Sequence, residues 1–393
     1  MPARDLDDVF RVLRRRPDVE APNLQAWDAT DRLLLETAAG YTQPGGTLAV
    51  IGDRYGALTL GAIAALGPGT VRVHQDLITG ERALRLNAEA LAAARAATAA
   101  DDGGMRQVPG FEQVPLGPGL LSGADTVLLQ LPKTLAELEQ TAAAVARHAP
   151  AGVTLLAGGR VKHMSLGMNT VLERYFGSVQ PQLARQKSRV ILATGPKPPQ
   201  EPDRFPVVEH LAELDLHVAA HGAVFAGPRL DIGTRFLLTF LPAMAPARHA
   251  VDLGCGTGIL AAMYARQFPG SMVTATDQSA AAVASAQATA RANGLEDRVR
   301  VLQDDAVSTL EPGSADLVLL NPPFHVGAGV HAGAGLKMIE AAGRVLTPGG
   351  GLWTVFNRHL PYLPALERNV GPTIVEGQNP KFLVARSTKR RVW

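Results

Sequence analysis

An amide, two prolines and an aromatic side chain follow a short apolar run in the second half of the chain. Asn321, Pro322, Pro323 and Phe324 come directly after Leu317–Leu320. Two prolines keep the backbone extended and leave carbonyl groups that no strand partner takes up. The Asn321 side-chain oxygen and the Pro322 carbonyl can accept both protons of an aromatic amine, which favours a pyramidal nitrogen that can attack. Phe324 offers a face for stacking a planar base, worth ~1–3 kcal/mol.

A glycine-rich turn precedes this segment in the sequence. Gly254, Gly256 and Gly258 follow the apolar run Ala250–Leu253, and Asp252 stands near the end of that run. Because glycine has no Cβ, such a turn folds tightly and lets the backbone approach a bound ligand. By itself the pattern also fits a dinucleotide-binding loop. It therefore predicts a cofactor turn without deciding which cofactor.

An acid at the end of the next strand supports a cofactor that contains a ribose. Asp277 closes the run Thr274–Asp277, roughly 20 residues beyond the glycine turn, where a carboxylate reaches ribose hydroxyls. Its two oxygens can accept from both hydroxyls at once. We therefore expect Asp277 to hold the ribose.

Short apolar runs alternate with alanine-rich stretches in both halves of the chain. In the second half the expected strands and helices are Ala250–Leu253, Met272–Ala275, Ala280–Asn293, Val299–Leu302, Leu317–Leu320, Gly335–Leu346 and Leu352–Phe356. This alternation predicts an α/β fold with a parallel sheet covered by helices on both faces. Ligands bind such sheets at the carboxyl ends of the strands, where the glycine turn and Asn321 fall.

A proline-rich segment divides the chain, and the two halves share motifs in the same order. Gly195–Pro206 contains five prolines, a density that neither a helix nor a central strand tolerates. We expect one domain at 1–195, a linker at 196–206 and a second domain at 207–393. The shared motifs pair Leu48–Gly56 with Ala250–Gly258, Gly123–Lys133 with Ser314–Phe324, and Leu172–Gly177 with Leu366–Gly371. Their order indicates a duplicated domain.

The composition limits the class of protein. With 46% hydrophobic and 19% charged residues, the chain is expected to be globular. Cys255 is the single cysteine, so we expect no disulfide, no metal site and a cytoplasmic location. No run approaches the ~20 apolar residues of a membrane span, and residues 1–16 lack the apolar core of a signal peptide. The net charge of +2 requires any nucleic-acid contact to come from a local patch.

Several motifs together resemble a known family. The G-x-G-x-G turn with Asp252 resembles the first motif of class I methyltransferases, and Asn-Pro-Pro with a following aromatic residue occurs in amine and amide methyltransferases. His325 and Asn357–Tyr362 extend the match. With the preceding twin half, the chain resembles the bacterial ribosomal RNA guanine-N2 methyltransferases. Its segments Leu24–Asp28 and Leu131–Leu135 are more similar to the large-subunit (23S) enzyme than to its small-subunit (16S) relative.

This resemblance implies two tandem class I methyltransferase domains, each Rossmann-like with a seven-stranded, mostly parallel sheet, the first being degenerate. It implies S-adenosylmethionine as the cofactor and ribosomal RNA as the partner. The catalytic residues it implies are Asn321, Pro322, Pro323, Phe324 and His325. The cofactor-binding residues it implies are Phe225, Asp231, Gly233, Asp252, Gly254, Gly256, Gly258, Asp277 and Asp305, with Asp304 as the alternative to Asp305.

The first half lacks the residues that carry this chemistry. Arg54 stands where Gly256 has its counterpart, and Gln130–Lys133 replaces Asn321–Phe324. We expect this half to bind RNA or to have a structural role. The basic residues expected to contact RNA are Arg11, Arg14, Arg15, Arg16, Arg54, Lys133 and Arg358. Two further basic clusters are candidate nucleic-acid patches, with solvated surface as the favoured interpretation of each: Arg185, Lys187 and Arg189, and Lys389, Arg390 and Arg391.

The motifs leave other substrates and one other class of protein open. The same residues serve guanine in 16S rRNA, adenine in DNA or RNA, and a protein glutamine amide. A non-catalytic RNA-binding protein with two inactive domains is the alternative class. The intact Asn321 segment and glycine turn argue against it, because both are lost in the first half.

Overall fold

The computed structural model describes residues 3–99, 110–323 and 327–391, except for the side chains of 3, 4, 98, 99 and 327–332. The chain forms two compact units, Met1–Arg204 and Phe205–Trp393. No helix in the described part of the chain is long and apolar enough to cross a membrane.

The first unit is a seven-stranded sheet with helices on both faces. Its helices are α1 Ala3–Val12, α2 Ala29–Ala38, α3 Ala57–Ala65, α4 Ile78–Ala99, α5 Pro118–Leu121, α6 Leu135–His148 and α7 Leu166–Tyr175. Its strands are β1 Thr47–Ile51, β2 Thr70–His74, β3 Phe111–Gln113, β4 Thr126–Gln130, β5 Thr154–Arg160, β6 Phe176–Pro181 and β7 Ser188–Pro196. The strand order is β3-β2-β1-β4-β5-β7-β6, and β7 is antiparallel to both of its neighbours.

The second unit repeats this architecture after an added hairpin. Its helices are α8 Ile232–Leu238, α9 Ile259–Gln267, α10 Ala280–Ala292, α11 Gly327–Val345 and α12 Leu363–Asn369. Its strands are β8 Val207–Leu211, β9 Leu216–Ala220, β10 His249–Leu253, β11 Met272–Asp277, β12 Val299–Gln303, β13 Ala315–Leu320, β14 Leu346–Asn357, β15 Thr373–Gln378 and β16 Phe382–Thr388. The order β12-β11-β10-β13-β14-β16-β15 matches that of the first unit strand for strand, with β16 antiparallel.

These two sheets confirm the predicted fold of two tandem, mostly parallel α/β domains. The central strands read as continuous apolar runs because both faces of the sheet are covered. In β13, for example, Val318, Leu319 and Leu320 are all buried. The β8–β9 hairpin was not predicted from the sequence. It is held against α10 by hydrogen bonds such as the one that the Ala219 amide donates to the Thr289 hydroxyl, 3.0 Å long.

Candidate active site

The glycine turn between β10 and α9 has the conformation that its composition predicts. Gly254, Gly256 and Gly258 all have positive φ angles, of 78°, 53° and 78°. A Cβ on Gly258 would lie 2.9 Å from the Cβ of Ala286 on α10, so glycine is needed there for helix packing. A Cβ on Gly256 would meet nothing within 4 Å. The turn is therefore open at Gly256, where a ligand can approach the backbone.

Asp252 supports this turn from inside the protein. One carboxylate oxygen accepts a 2.9 Å hydrogen bond from the Ala261 amide in the first turn of α9. The other oxygen is buried and has no hydrogen-bond partner in the described structure. Burial raises the pKa of Asp252 to about 7. The Ala261 hydrogen bond lowers this pKa, and the negative charge of Asp277 raises it further.

Asp277 joins the glycine turn to the start of α10. Its carboxylate accepts from the Gly256 amide at 3.0 Å and from the Ser279 amide at 3.0 Å. These bonds fix the carboxylate beside the open face of the turn.

The two neighbouring acids after β12 have different environments. Asp304 is buried, and both of its oxygens accept from Ser308 and Thr309 within its own loop. Burial tends to raise the pKa of Asp304, but these hydrogen bonds outweigh it and hold the pKa below the usual value. Asp305 instead forms an ion pair with Lys337 of α11, with Nζ 2.6 and 2.7 Å from its two oxygens. Asp304 is therefore committed to its own loop, whereas Asp305 is held by a lysine from another helix.

Asn321, at the carboxyl end of β13, is held by the first turn of α8. Its amide nitrogen donates to the carboxylate of Asp231 at 3.0 Å and to the hydroxyl of Thr234 at 2.9 Å. The side-chain oxygen of Asn321 is buried and has no hydrogen-bond partner among the described residues. Both donors of the amide are occupied, and its acceptor is available.

Gly233 provides the space for this arrangement. Asp231 caps α8 by accepting from the amides of Gly233 and Thr234 at 2.9 and 3.1 Å. A Cβ on Gly233 would lie 3.0 Å from the Asp231 carboxylate and 3.1 Å from the Asn321 side-chain oxygen. The sequence assigned Asp231 and Gly233 to the cofactor, and that assignment stays a prediction; in the described structure Asp231 holds Asn321, and Gly233 donates to Asp231. Thr234 was missed, although it stands three residues after a capping aspartate.

The remaining predicted site residues are only partly described. Pro322 is buried and Pro323 is exposed, while Phe324 and His325 lie outside the described residues. Phe225 is 67% exposed, and Ile232 beside Asp231 is 59% exposed. These are large apolar surfaces to leave in water, and they border the segment that leads into α8.

The corresponding turn of the first unit is filled by its own side chains. Arg54 lacks the positive φ of Gly256. Asp53, next to it, is 1% exposed and accepts from the amides of Gly56 and Thr59 at 2.9 and 2.8 Å. Gln75 stands where Asp277 would be, and its amide donates to the Asp53 carbonyl. The loop is thus closed by internal contacts that a cofactor would have to replace.

The contact made by Asn321 also has a counterpart in the first unit. The amide of Gln130, at the end of β4, donates to the carboxylate of Asp31 in the first turn of α2. Asp31 also accepts from the Asp28 amide at 2.7 Å, in a capping box. Burial is the main cause that raises the pKa of Asp31 to about 7.

The basic residues predicted to contact RNA have varied surroundings. Arg11 pairs with Asp8 at 3.0 Å. Arg14 donates to carbonyls at the end of α1, including that of Arg11 at 3.0 Å. Arg15 pairs with Asp18 at 3.0 Å, and Arg16 is exposed. Arg54 and Lys133 are also exposed, and the positive charge of each lowers the pKa of Glu137 against the larger effect of burial. Arg358 donates to the Asn379 carbonyl at 3.5 Å. In the described part of the chain, no group of three or more His, Cys, Asp or Glu side chains could hold a metal ion.

The second unit is a class I methyltransferase domain, defined by its strand order, its open glycine turn and its Asn-Pro-Pro segment. The first unit is a twin domain with the same strand order. Comparison with known families agrees: the model of the methyltransferase small domain matches residues 215–386, and that of the RLMG N-terminal domain matches residues 3–197. The chain is 35% identical to ribosomal RNA large subunit methyltransferase G of Streptomyces coelicolor over 387 residues, covering 96% of this chain and 98% of the relative. It is 36% identical over 380 residues to the protein of that name from Pseudomonas aeruginosa strain UCBPP-PA14, covering 96% and 97%.

The chain therefore belongs to the ribosomal RNA large subunit methyltransferase G family, which confirms the resemblance inferred from the sequence. A solved structure supports the fold over nearly the whole length. It is the 16S rRNA N2 G1207 methyltransferase of T. thermophilus in complex with AdoMet and guanosine. The two structures align with a TM-score of 0.72 at 22% identity, covering 95% of this chain and 97% of the other.

Proposed function

We propose that the second unit transfers a methyl group from S-adenosylmethionine to the N2 amine of a guanine in 23S ribosomal RNA. The observation that carries this proposal is the side-chain oxygen of Asn321. It is buried and unpartnered among the described residues, and the amide nitrogen is fixed on Asp231 and Thr234. A buried acceptor without a donor costs about 1–3 kcal/mol, so a substrate donor at this position would remove that penalty.

The residues around the glycine turn fit the cofactor. The open side of Gly256 leaves space for a ligand against the backbone, and Asp252 has a buried oxygen without a partner in the described structure. Asp277 would hold the ribose, and Asp305 would hold the adenine amine. When bound, S-adenosylmethionine supplies an electrophilic methyl group on a positively charged sulfur. Phe225, Gly254 and Gly258 belong to the same proposed cofactor site.

The Asn-Pro-Pro segment prepares the amine. Asn321 and the Pro322 carbonyl accept its two protons, which orients the nitrogen lone pair for attack. Pro323 keeps the segment extended; Phe324 and His325, which lie outside the described residues, are assigned to the base by the family resemblance alone. Once the nitrogen carries the methyl group, its surplus proton leaves to water, so no general base is needed.

Guanine in the large subunit is the substrate that family membership favours. The residues at Asn321 would also hold an adenine amine, a glutamine amide or a guanine of 16S rRNA. The curated relatives are named large subunit methyltransferases, which supports 23S rRNA, and a ribosomal substrate supports a cytoplasmic location.

The substrate can be identified by mapping N2-methylguanine in both ribosomal RNAs by mass spectrometry. The strains compared are the parent, a strain lacking the gene, and that strain complemented with wild type or Asn321→Ala. We expect one 23S nucleotide to lose its methyl group in the deletion strain and to regain it with the wild-type gene alone. Loss from 16S rRNA, or no loss from either RNA, would contradict the proposal.

We further propose that the first unit binds RNA and no cofactor. Its closed turn at Asp53 and Gln75 supports the second part of this proposal. RNA binding is proposed from the basic residues predicted to contact RNA, which are Arg11, Arg14, Arg15, Arg16, Arg54 and Lys133, together with Arg358 in the second unit.

A further inference from the structure

A groove of about 690 Å³ with a mixed polar and apolar lining lies in the first unit, on the side of the sheet where β5 ends. Its lining includes Arg15, Trp27, Asp28, Arg32, Arg160 and Gln186. Of these, the sequence predicted an RNA contact for Arg15, and Trp27 and Asp28 belong to the family motif Leu24–Asp28. Residues from four separate segments line the groove, so the sequence alone does not show that they lie together.

The sheet register explains how these segments meet. Arg160 is directly opposite Ser188 in the β5–β7 pair, so their side chains share a face. Ser188 bonds to Thr30 of α2 at 2.9 Å, which identifies that face as the one under α2. The Val161 amide donates to the Lys187 carbonyl at 3.0 Å, joining the end of β5 to the turn before β7.

Two of the three arginines in the groove are held in place before any ligand arrives. Trp27 stacks on Phe10 with ring centroids 4.3 Å apart, and the Arg32 guanidinium lies 5.5 Å from the Trp27 ring and 5.2 Å from the Phe10 ring. The Arg15 guanidinium lies 4.7 Å from the Tyr55 ring. Side chains that are already ordered lose less entropy on binding.

Each of the three groove arginines has a carboxylate within 4 Å, so the positive excess at this end of the sheet comes from the neighbouring lysines. Asp28 is the one carboxylate among its lining residues, and it lies 3.8 Å from Arg160, too far for a good hydrogen bond. Arg15 and Arg32 pair with Asp18 and Asp7, which do not line the groove. Lys162 and Lys187 are exposed on the two segments that the Val161 bond joins.

We propose that this groove binds the phosphate backbone of an RNA strand. Planar guanidinium groups bind phosphate oxygens in pairs, and several of them along an open groove suit a chain of phosphates. The proposal rests on the proposed function in one respect, that the substrate is RNA. It moves the main RNA contact of the first unit from Arg11, Arg14 and Arg16 to Arg160, Arg32 and the Lys187 turn.

The test compares Arg160→Gln, Lys187→Gln and their combination with Arg174→Gln in the full chain. Arg174 is a matched control, because its side chain is 54% exposed, has one carboxylate partner, Glu139 at 3.2 Å, and lies outside the groove. Protein-free 23S rRNA and labelled oligouridylate serve as RNA probes at several salt concentrations, with tripolyphosphate as competitor. S-Adenosylmethionine affinity is measured separately by calorimetry.

We expect the double variant to bind both RNAs on the order of tenfold more weakly. The slope of log affinity against log salt concentration should become shallower by ~0.7 for each phosphate that is no longer bound. Arg174→Gln should bind as wild type, and cofactor affinity should not change in any variant. Equal RNA affinity and salt slope in the double variant and the control would overturn the proposal. Displacement of the RNA by tripolyphosphate at equal phosphate concentration would also overturn it, because the groove would then bind free phosphate as well as it binds an RNA strand. These outcomes concern binding alone, so they do not depend on which nucleotide is methylated.

Discussion

The amide nitrogen of Asn321 lies 3.0 Å from a carboxylate oxygen of Asp231, and this contact determines which way the amide faces. A carboxylate can only accept, so the nitrogen must point towards Asp231 and the oxygen away from it. The helix that Asp231 caps therefore orients the acceptor proposed to hold the substrate amine. In the first unit Gln130 likewise donates to the start of a helix, but its acceptor Asp31 stands at the third helical position, as Thr234 does, and not at the cap.

The first prediction concerns this orientation. Asp231→Asn keeps the size of the side chain and its capping ability but lets the Asn321 amide turn over. We expect turnover to fall about tenfold or more, comparable to a partial loss of one preorganised hydrogen-bond partner, with unchanged affinity for S-adenosylmethionine. Steady-state kinetics and calorimetry measure the two quantities. Thr234→Ser should keep turnover and Thr234→Val should lower it. A loss confined to cofactor affinity would show that Asp231 contacts the cofactor instead.

The second prediction concerns the glycine turn. Gly256→Arg introduces the residue type that the first unit carries, at a φ of 53° and on the open side of the turn, so cofactor binding should be lost. Gly294→Arg is the matched control, because Gly294 has a φ of 64° and open space around its Cβ position beyond the end of α10. Calorimetry should give one S-adenosylmethionine per wild-type chain, one for the control and none for Gly256→Arg. Two sites per chain would contradict the closed turn of the first unit.

The third prediction is a dependence of stability on pH. The pKa of Asp252 is raised to about 7 in the folded chain, while the unfolded carboxyl titrates near 3.8. The folded state therefore keeps a proton that the unfolded state loses, and this group makes stability fall as pH rises from about 4 to about 7. In urea titrations without cofactor, we expect wild type to lose more stability between these limits than Asp252→Asn. The same pH dependence in both proteins would show that Asp252 is ionised in the folded state.

The sequence predicted the fold because the signal for it is local. Strands such as Ala250–Leu253 are apolar throughout, and the glycine turn can be recognised from its spacing; the structure places the strand at His249–Leu253. The interactions that the sequence missed are not local. Thr234 meets Asn321 only after α8 and β13 have assembled, and Arg160 and Arg32 line one groove only because β5 and β7 pair in this register under α2. The role of the buried Asp53, which occupies the loop position of Cys255, is also not visible in the sequence, because it depends on the hydrogen bonds that Asp53 accepts from Gly56 and Thr59.

The most direct test of the account is the initial rate of guanine N2 methylation in 23S rRNA by wild type and Asn321→Ala at saturating cofactor. Mass spectrometry of the RNA measures the product, and calorimetry measures cofactor affinity in the same preparations. We predict that Asn321→Ala lowers the rate by ~10²-fold or more and leaves the affinity for S-adenosylmethionine unchanged, because the missing acceptor acts on the amine and not on the cofactor. A variant that methylates within a few-fold of wild type would contradict the assignment of Asn321 to the reacting amine.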